Sequence, residues 1–254
     1  MAIKITSPAD VREGMHSVLY GKPKTGKTST CDDPNFKVLI ADLEGGTAVL
    51  SDAKNVDRVA IESFEQFREF TEMVQRGFVE KEGDFNYDLV VIDSISRLQE
   101  LVKEYVAKAY APNRKREIQG KFGAMADWGD LRDIMLSAVK AWHSTTKRGE
   151  KSFHVMWIAH EGVVKDDLTE QAIATKIQLQ GKDTADIVMA HVDAIFYMYN
   201  KLDEEGNIKR GILTKNYGIF QAGVRQSKHR DPLPTAIENP VWSDIYEQLG
   251  YIRK

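Results

Sequence analysis

Four short apolar runs, Ser17–Tyr20, Lys37–Ala41, Asp88–Ile92 and Val155–Ala159, each lead directly into a polar or glycine-bearing segment. Runs of this length with little polar alternation predict strands buried on both faces, as in a parallel sheet, with chemistry gathered at the strand ends. Between them the period changes to that of a helix. Ser63 is a candidate N-cap for a helix to Arg76, with Phe64, Phe67, Phe70 and Val74 along one face. Ser96–Ala109 places Leu98, Leu101, Val102, Tyr105 and Val106 together, and Asp127–Trp142 does the same with Leu131, Ile134, Met135, Ala138 and Trp142. Alternating strands and helices predict an α/β fold, a mostly parallel sheet flanked by helices. The last third reads differently. Val192–Tyr199 and Ile208–Lys215 predict a hairpin turning at Asp203–Asn207, which adds antiparallel strands near the C-terminus. Pro232, Pro234 and Pro240 keep Asp231–Pro240 extended before a short helix at Trp242–Leu249.

Composition narrows the class. The chain has 254 residues and is 42% hydrophobic, enough for a full core, and no linker or repeat divides it. One domain over residues 1–254 is expected, with a tail from about 231 to 254. With 35 basic and 38 acidic side chains the net charge is −3, which excludes a uniformly basic coat but not a local basic patch. Cys31 is the only cysteine, so neither an intrachain disulfide nor a cysteine zinc cluster can form. The first ten residues lack an apolar signal-type stretch, and no apolar run approaches the ~20 residues a membrane span needs. A soluble, cytoplasmic protein without a membrane partner is the expectation.

Gly21-Lys22-Pro23-Lys24-Thr25-Gly26-Lys27-Thr28 satisfies G-x-x-x-x-G-K-[ST] directly after the Ser17–Tyr20 run. Glycines let backbone N–H groups converge on an anion, and the turn continues through Ser29 into a helical start. Lys27 suits the β- and γ-phosphates of a nucleotide and the Thr28 hydroxyl a Mg²⁺ ion. Asp32-Asp33-Pro34 should end the following helix after little more than one turn. Asp93 closes an apolar run in the manner of a Walker B strand and supplies a carboxylate for the same Mg²⁺. Since Ser94 follows it, a water-activating carboxylate must come from elsewhere. Glu44, in Asp42-Leu43-Glu44-Gly45-Gly46, is the candidate general base, with Asp42 second. A loop carboxylate serving turn geometry is the alternative reading of Glu44. His160, which ends its strand just before Glu161, is a candidate γ-phosphate sensor, or a structural histidine. The other histidines show no metal-ligand spacing.

At these residues the chain resembles RecA-type ATPases, and more narrowly the phage nucleotide-binding proteins of the AAA-domain group, which includes RecA-core single-strand annealing proteins. The likeness is carried by Tyr20–Thr28, Asp42–Gly46, Val91–Ser94, Val155–Glu161 and Ser227-Lys228-His229-Arg230, nearly the whole chain. It implies a RecA-like P-loop core, ATP and Mg²⁺ as cofactors, Glu44 as catalytic glutamate and His160 as sensor. Lys228 and Arg230 resemble a basic motif that reaches into a neighbouring subunit's nucleotide, which implies self-association with nucleotide between subunits. His229 replaces the asparagine usual in that motif, and the glycine after it is absent.

Lys108–Lys121 is rich in basic residues, among them Arg114, Lys115, Arg116 and Lys121, with Tyr110, Phe122 and Trp128 in or beside it. Cations screen phosphate and aromatic faces stack on unpaired bases, so this stretch is a candidate contact for single-stranded DNA. Glu161–Asp183 is a second candidate or a lid, although Asp166, Asp167 and Glu170 oppose a DNA role. The leading expectation is a Mg²⁺-dependent ATPase of phage recombination or replication, acting in a bacterial host cytoplasm on single-stranded DNA and promoting annealing or strand pairing. A phage single-strand binding protein is a further candidate partner. The alternatives are a nucleotide-gated accessory or loader module with negligible hydrolysis and, lower, a small-molecule kinase.

Overall fold

The computed structural model describes residues 14–80, 85–109, 121–145, 153–181 and 183–251. Its centre is a ten-stranded sheet. The parallel strands are β1 (His16–Gly21), β2 (Val38–Asp42), β3 (Val56–Ala60), β4 (Leu89–Asp93), β5 (His154–Lys165) and β7 (Ala194–Leu202). Three antiparallel strands follow, β8 (Ile208–Leu213), β9 (Gly223–Val224) and β10 (Ala236–Glu238), while β6 (Ala172–Ile177) returns along the far half of β5. The order across the sheet is β10-β8-β7-β1-β5-β4-β2-β3, with β6 on β5 and β9 on β7. β5 therefore lies between the phosphate-loop strand β1 and the Asp93 strand β4.

The apolar runs are buried on both faces because successive side chains point opposite ways. Val18, Leu39, Val90 and Trp157 join one core with helices α1 (Phe64–Glu80), α2 (Ile95–Ala109), α3 (Met125–Thr145) and α4 (Thr184–His191). Leu19, Ile40, Val91 and Met156 join a second core beneath α5 (Trp242–Leu249) and the short 3₁₀ turn Thr28–Cys31. Two of the helix ends illustrate how the sequence sets the boundaries. The Ser63 hydroxyl accepts from the Gln66 N–H at 3.2 Å, and the Gln66 side chain accepts from the Glu62 N–H at 2.7 Å, a reciprocal arrangement close to a capping box. α5 ends at Gly250, whose φ of 89° permits the left-handed stop, with Tyr251 N–H donating to the Tyr246 carbonyl at 2.9 Å.

The expected strands, helices and hairpin are present, with end points shifted by a few residues. Among the elements that go beyond the sequence reading are the edge strand β3, the hairpin strand β6, the eight-residue α4 and the two-residue β9. The Glu161–Asp183 stretch, read as a second DNA-contact candidate or a lid, is largely this β5–β6 hairpin. Among the described residues no helix is long and apolar enough to cross a membrane.

Candidate nucleotide site

The carboxyl ends of β1, β2, β4 and β5 meet at one sheet edge. Register fixes this: Gly21 lies opposite His160, and Asp42 opposite Asp93. The phosphate loop leaves β1 there and turns through Lys24 at φ 64° and Gly26 at φ 96°. Glycine has no Cβ to resist that geometry, whereas Lys24 adopts it at a cost. Inside the loop the Thr25 hydroxyl donates to the Lys22 carbonyl at 2.9 Å. The Asn200 amide, with its nitrogen toward the loop, donates to the Thr25 carbonyl at 3.0 Å. Lys27 is buried, and its Nζ donates to the carbonyls of Gly21 and Lys22 at 3.0 and 2.9 Å. Burial pushes its pKa down, while Asp93, Glu44 and Glu161 pull it back up. A lone ammonium is thus poised among carbonyls and carboxylates, where a phosphate can claim it.

The Thr28 hydroxyl donates to Asp93 Oδ2 at 2.6 Å. Burial raises Asp93 to about 6, against the hydrogen bond from Thr28 and with the added push of Glu44 and Asp42. Glu44 sits over this pair on the loop after β2. Its Oε1 accepts from the Ser94 hydroxyl and faces His160 Nε2 at 2.8 Å, with each of the two side chains about one-third exposed. The hydrogen bond to His160 holds Glu44 below its ordinary pKa, and the same contact raises His160 above its own. His160 is also fixed through its backbone: its N–H donates to the Ser96 hydroxyl at 3.1 Å, and its carbonyl accepts from Gln178 N–H at 2.8 Å.

Asp42, the second candidate base, is spent on structure. It is buried and accepts from Gly45 and Gly46 N–H, from the Thr47 hydroxyl at 2.6 Å and from Arg58 at 3.1 Å. Burial alone would raise its pKa, yet these donors together hold it below the ordinary value. Its role is to shape the turn that presents Glu44.

Lys27, Thr28, Glu44, Asp93 and His160 therefore converge, and the loop Gly21–Ser29 surrounds them. Lys228 and Arg230 do not join them. Their turn lies at the other sheet edge, where Arg230 rests against Gly250 beyond α5. Arg114, Lys115 and Arg116 lie outside the described residues. Lys121 is exposed, and the Phe122 ring packs edge-on against Trp128 at 4.9 Å with Lys103 over its face. In the hairpin candidate Lys165 pairs with Glu170 and Lys176 with Asp186, so those cations are partly neutralised. Sequence reasoning missed three participants. Ser94, to which the sequence reading assigned no role, both caps α2 by accepting from Arg97 N–H at 3.1 Å and holds Glu44. Glu161 accepts from the Tyr197 hydroxyl at 2.9 Å near Lys27, and Arg210 lies across Gly26. Only contact in space could reveal the last two.

Several solved structures resemble the chain at low identity. The RadB recombinase aligns at 15% identity and TM-score 0.41, covering 80% of this chain and 81% of its own. A KaiC-like protein from Pyrococcus horikoshii aligns at 13% and TM-score 0.42, covering 79% of each chain. A type III secretion system ATPase from pathogenic bacteria aligns at 12% and TM-score 0.41, over 76% of this chain and 52% of its own. No curated protein matches the sequence. The strand order, with β5 inserted between β1 and β4 and antiparallel strands added after β7, is that of a RecA-like α/β sheet. The profile of the family described as AAA domain matches residues 13–225, most of the chain and every residue of the converged site, so the protein belongs to the AAA domain family as a P-loop ATPase domain.

Proposed function

We propose that the protein is a Mg²⁺-dependent ATPase of phage DNA recombination or replication that binds single-stranded DNA, promotes annealing or strand pairing, and assembles with nucleotide between its subunits. The observation that carries the ATPase reading is the convergence of Lys27, Thr28, Asp93 and Glu44 within one hydrogen-bonded edge of the sheet. Phosphoryl transfer asks a protein mainly for positioning and charge, and these residues supply both. Lys27 binds phosphate oxygens as a point charge. Thr28 and Asp93 offer a hydroxyl and a carboxylate oxygen, hard donors that suit Mg²⁺, so they would hold the ion; it would neutralise charge on the phosphates. Glu44 orients the attacking water and accepts its proton, and His160 and Ser94 fix that carboxylate in place.

The DNA part of the reading draws on the basic stretch around Arg114–Lys121 and on the family resemblance. Its test is hydrolysis of labelled ATP with and without single-stranded DNA, together with DNA binding across a salt series. Stimulation by DNA and binding that weakens steeply with salt are expected. Hydrolysis indifferent to DNA, with no binding at low salt, removes the recombination reading. Failure to bind nucleotide removes the ATPase reading as well.

One observation favours a second reading, a nucleotide-gated module with negligible turnover: Glu44 Oε1 already accepts from Ser94 and His160, which depresses the basicity a proton acceptor needs. Glu44→Gln separates the two. For an ATPase, turnover falls by about 10²–10⁴-fold while nucleotide affinity is kept. An already negligible rate that the substitution leaves unchanged supports the gated module.

A further inference from the structure

We propose that a small cleft beside the phosphate loop, walled by Arg210, seats the purine end of the nucleotide, and that Arg210 is what distinguishes a nucleoside triphosphate from a bare polyphosphate. This deepens the nucleotide-site reading and rests on it. The cleft, about 170 Å³, lies between Ser29, Thr30 and Asp32 on one side and Arg210, Asn239 and Pro240 on the other. That is less than the roughly 300–1,000 Å³ of a pocket that swallows a whole small ligand. It suits one ring system whose phosphates are held elsewhere, and the phosphate loop is contiguous with it through Ser29 and Thr30.

Arg210 reaches back from β8 over the loop. Its Nε lies 2.6 Å from where a Cβ on Gly26 would stand, so the side chain packs over the loop at its glycine. The Arg210 carbonyl accepts from Asn239 N–H at 2.8 Å, which holds the two rim residues together. The guanidinium is exposed and makes no hydrogen bond or ion pair with the described residues, although it sits beside a site for anions. A planar, weakly hydrated cation of this kind lies well on the face of an aromatic base.

The remaining polar groups sort themselves. Asp33, which also lines the cleft, is committed: its two carboxylate oxygens accept from Asn35 N–H at 3.0 Å and Ser243 N–H at 2.9 Å. Asp32 is exposed, and its carboxylate, like the side-chain amide of Asn239, has no partner among the described residues. An amide presents a donor next to an acceptor, the complement of the N6/N7 edge of adenine. Asn239 holds φ at 46°, a conformation glycine adopts freely, so its side chain can be removed without disturbing the turn.

The test compares binding of ATP, CTP and inorganic tripolyphosphate by the intact protein with Mg²⁺ present. Wild type is expected to bind ATP more tightly than tripolyphosphate. Arg210→Ala should weaken ATP by about tenfold, the scale of one cation–aromatic contact, and leave tripolyphosphate within about twofold. Asn239→Gly should reduce the preference for ATP over CTP. Lys27→Ala should weaken ATP and tripolyphosphate alike. Arg210→Ala weakening both ligands equally, or neither, overturns the proposal while leaving the phosphate site intact. An unchanged ATP to CTP ratio in Asn239→Gly overturns its purine component. Wild type binding neither ATP nor tripolyphosphate overturns the nucleotide site itself, and this inference with it.

Discussion

Glu44 and His160 stabilise each other's charged forms, and this fixes how they respond to pH. His160, raised above its ordinary value, contributes stability that is complete below about 6.5 and lost as pH rises through its elevated pKa. Glu44, held low, contributes stability that is complete above about 4.5 and lost as pH falls through its depressed pKa. The pair is therefore fully ionised, and strongest, between those limits. An opposing cost exists, because His160 Nδ1 is buried without a partner among the described residues and a charged ring carries a donor there. The contact with Glu44 outweighs it. A direct check is the titration of the His160 ring by NMR: it should exceed 6.5 in wild type and drop toward 6.5 in Glu44→Gln. A His160 titration indifferent to that substitution would refute the coupling. Each partner was legible alone, from its place after an apolar run. Their contact was not, because the residues are 116 positions apart and adjacency depends on the order of β2, β4 and β5.

Among elements, the turn after β2 matters most to the site because it carries Glu44, and Asp42 organises it. Asp42→Ala removes the acceptor of two backbone N–H groups, a hydroxyl and a guanidinium. Arg58 is more than half exposed and can turn to water, as can the glycine amides in part. The cost is thus about 2–3 kcal/mol, below that of breaking a fully buried ion pair. Turnover should fall further than nucleotide affinity, since Glu44 loses its support while Lys27 and Thr28 keep theirs. Arg58→Met, which loses only an exposed partner, should cost less than about 1 kcal/mol. Urea unfolding of both variants decides this, and equal losses would show that Asp42 acts merely as a partner of Arg58. The same scale explains which elements the sequence reveals. β1, β2, β4 and the first half of β5 are buried on both faces and write themselves as apolar runs. β3, Val-Asp-Arg-Val-Ala, has a half-exposed edge pattern and forms because β2 offers it a free row of backbone groups. β6 likewise exists by pairing with the outer half of β5, and much of it faces water. Neither leaves a hydrophobic signature of its own.

At the scale of the whole molecule the question is where Arg230 can act. It lies against Gly250, next to Tyr251, whose ring approaches that of His154 at 6.5 Å. His154 begins β5, and the site begins at His160, six residues further along the strand. At ~3.3 Å per residue those two positions of β5 are about 20 Å apart, which puts the Arg230 turn toward the end of the sheet away from the site. If Arg230 supplies a catalytic cation, the nucleotide it serves belongs to a neighbouring subunit, and the site is completed only on assembly. Arg230→Ala should then keep its ATP affinity and lose turnover by about 10³-fold, the scale of an arginine supplied in trans. Mixing it with Glu44→Gln distinguishes a trans role from mere structural support at Gly250. In a mixed assembly some sites pair an intact Glu44 on one subunit with an intact Arg230 on the next, so activity should reappear from two nearly inactive proteins. Light scattering should show the mixture forming only where nucleotide drives assembly. A mixture no more active than its two components, or an Arg230→Ala variant with normal turnover, would leave Arg230 as packing behind α5 and the phosphate site self-sufficient.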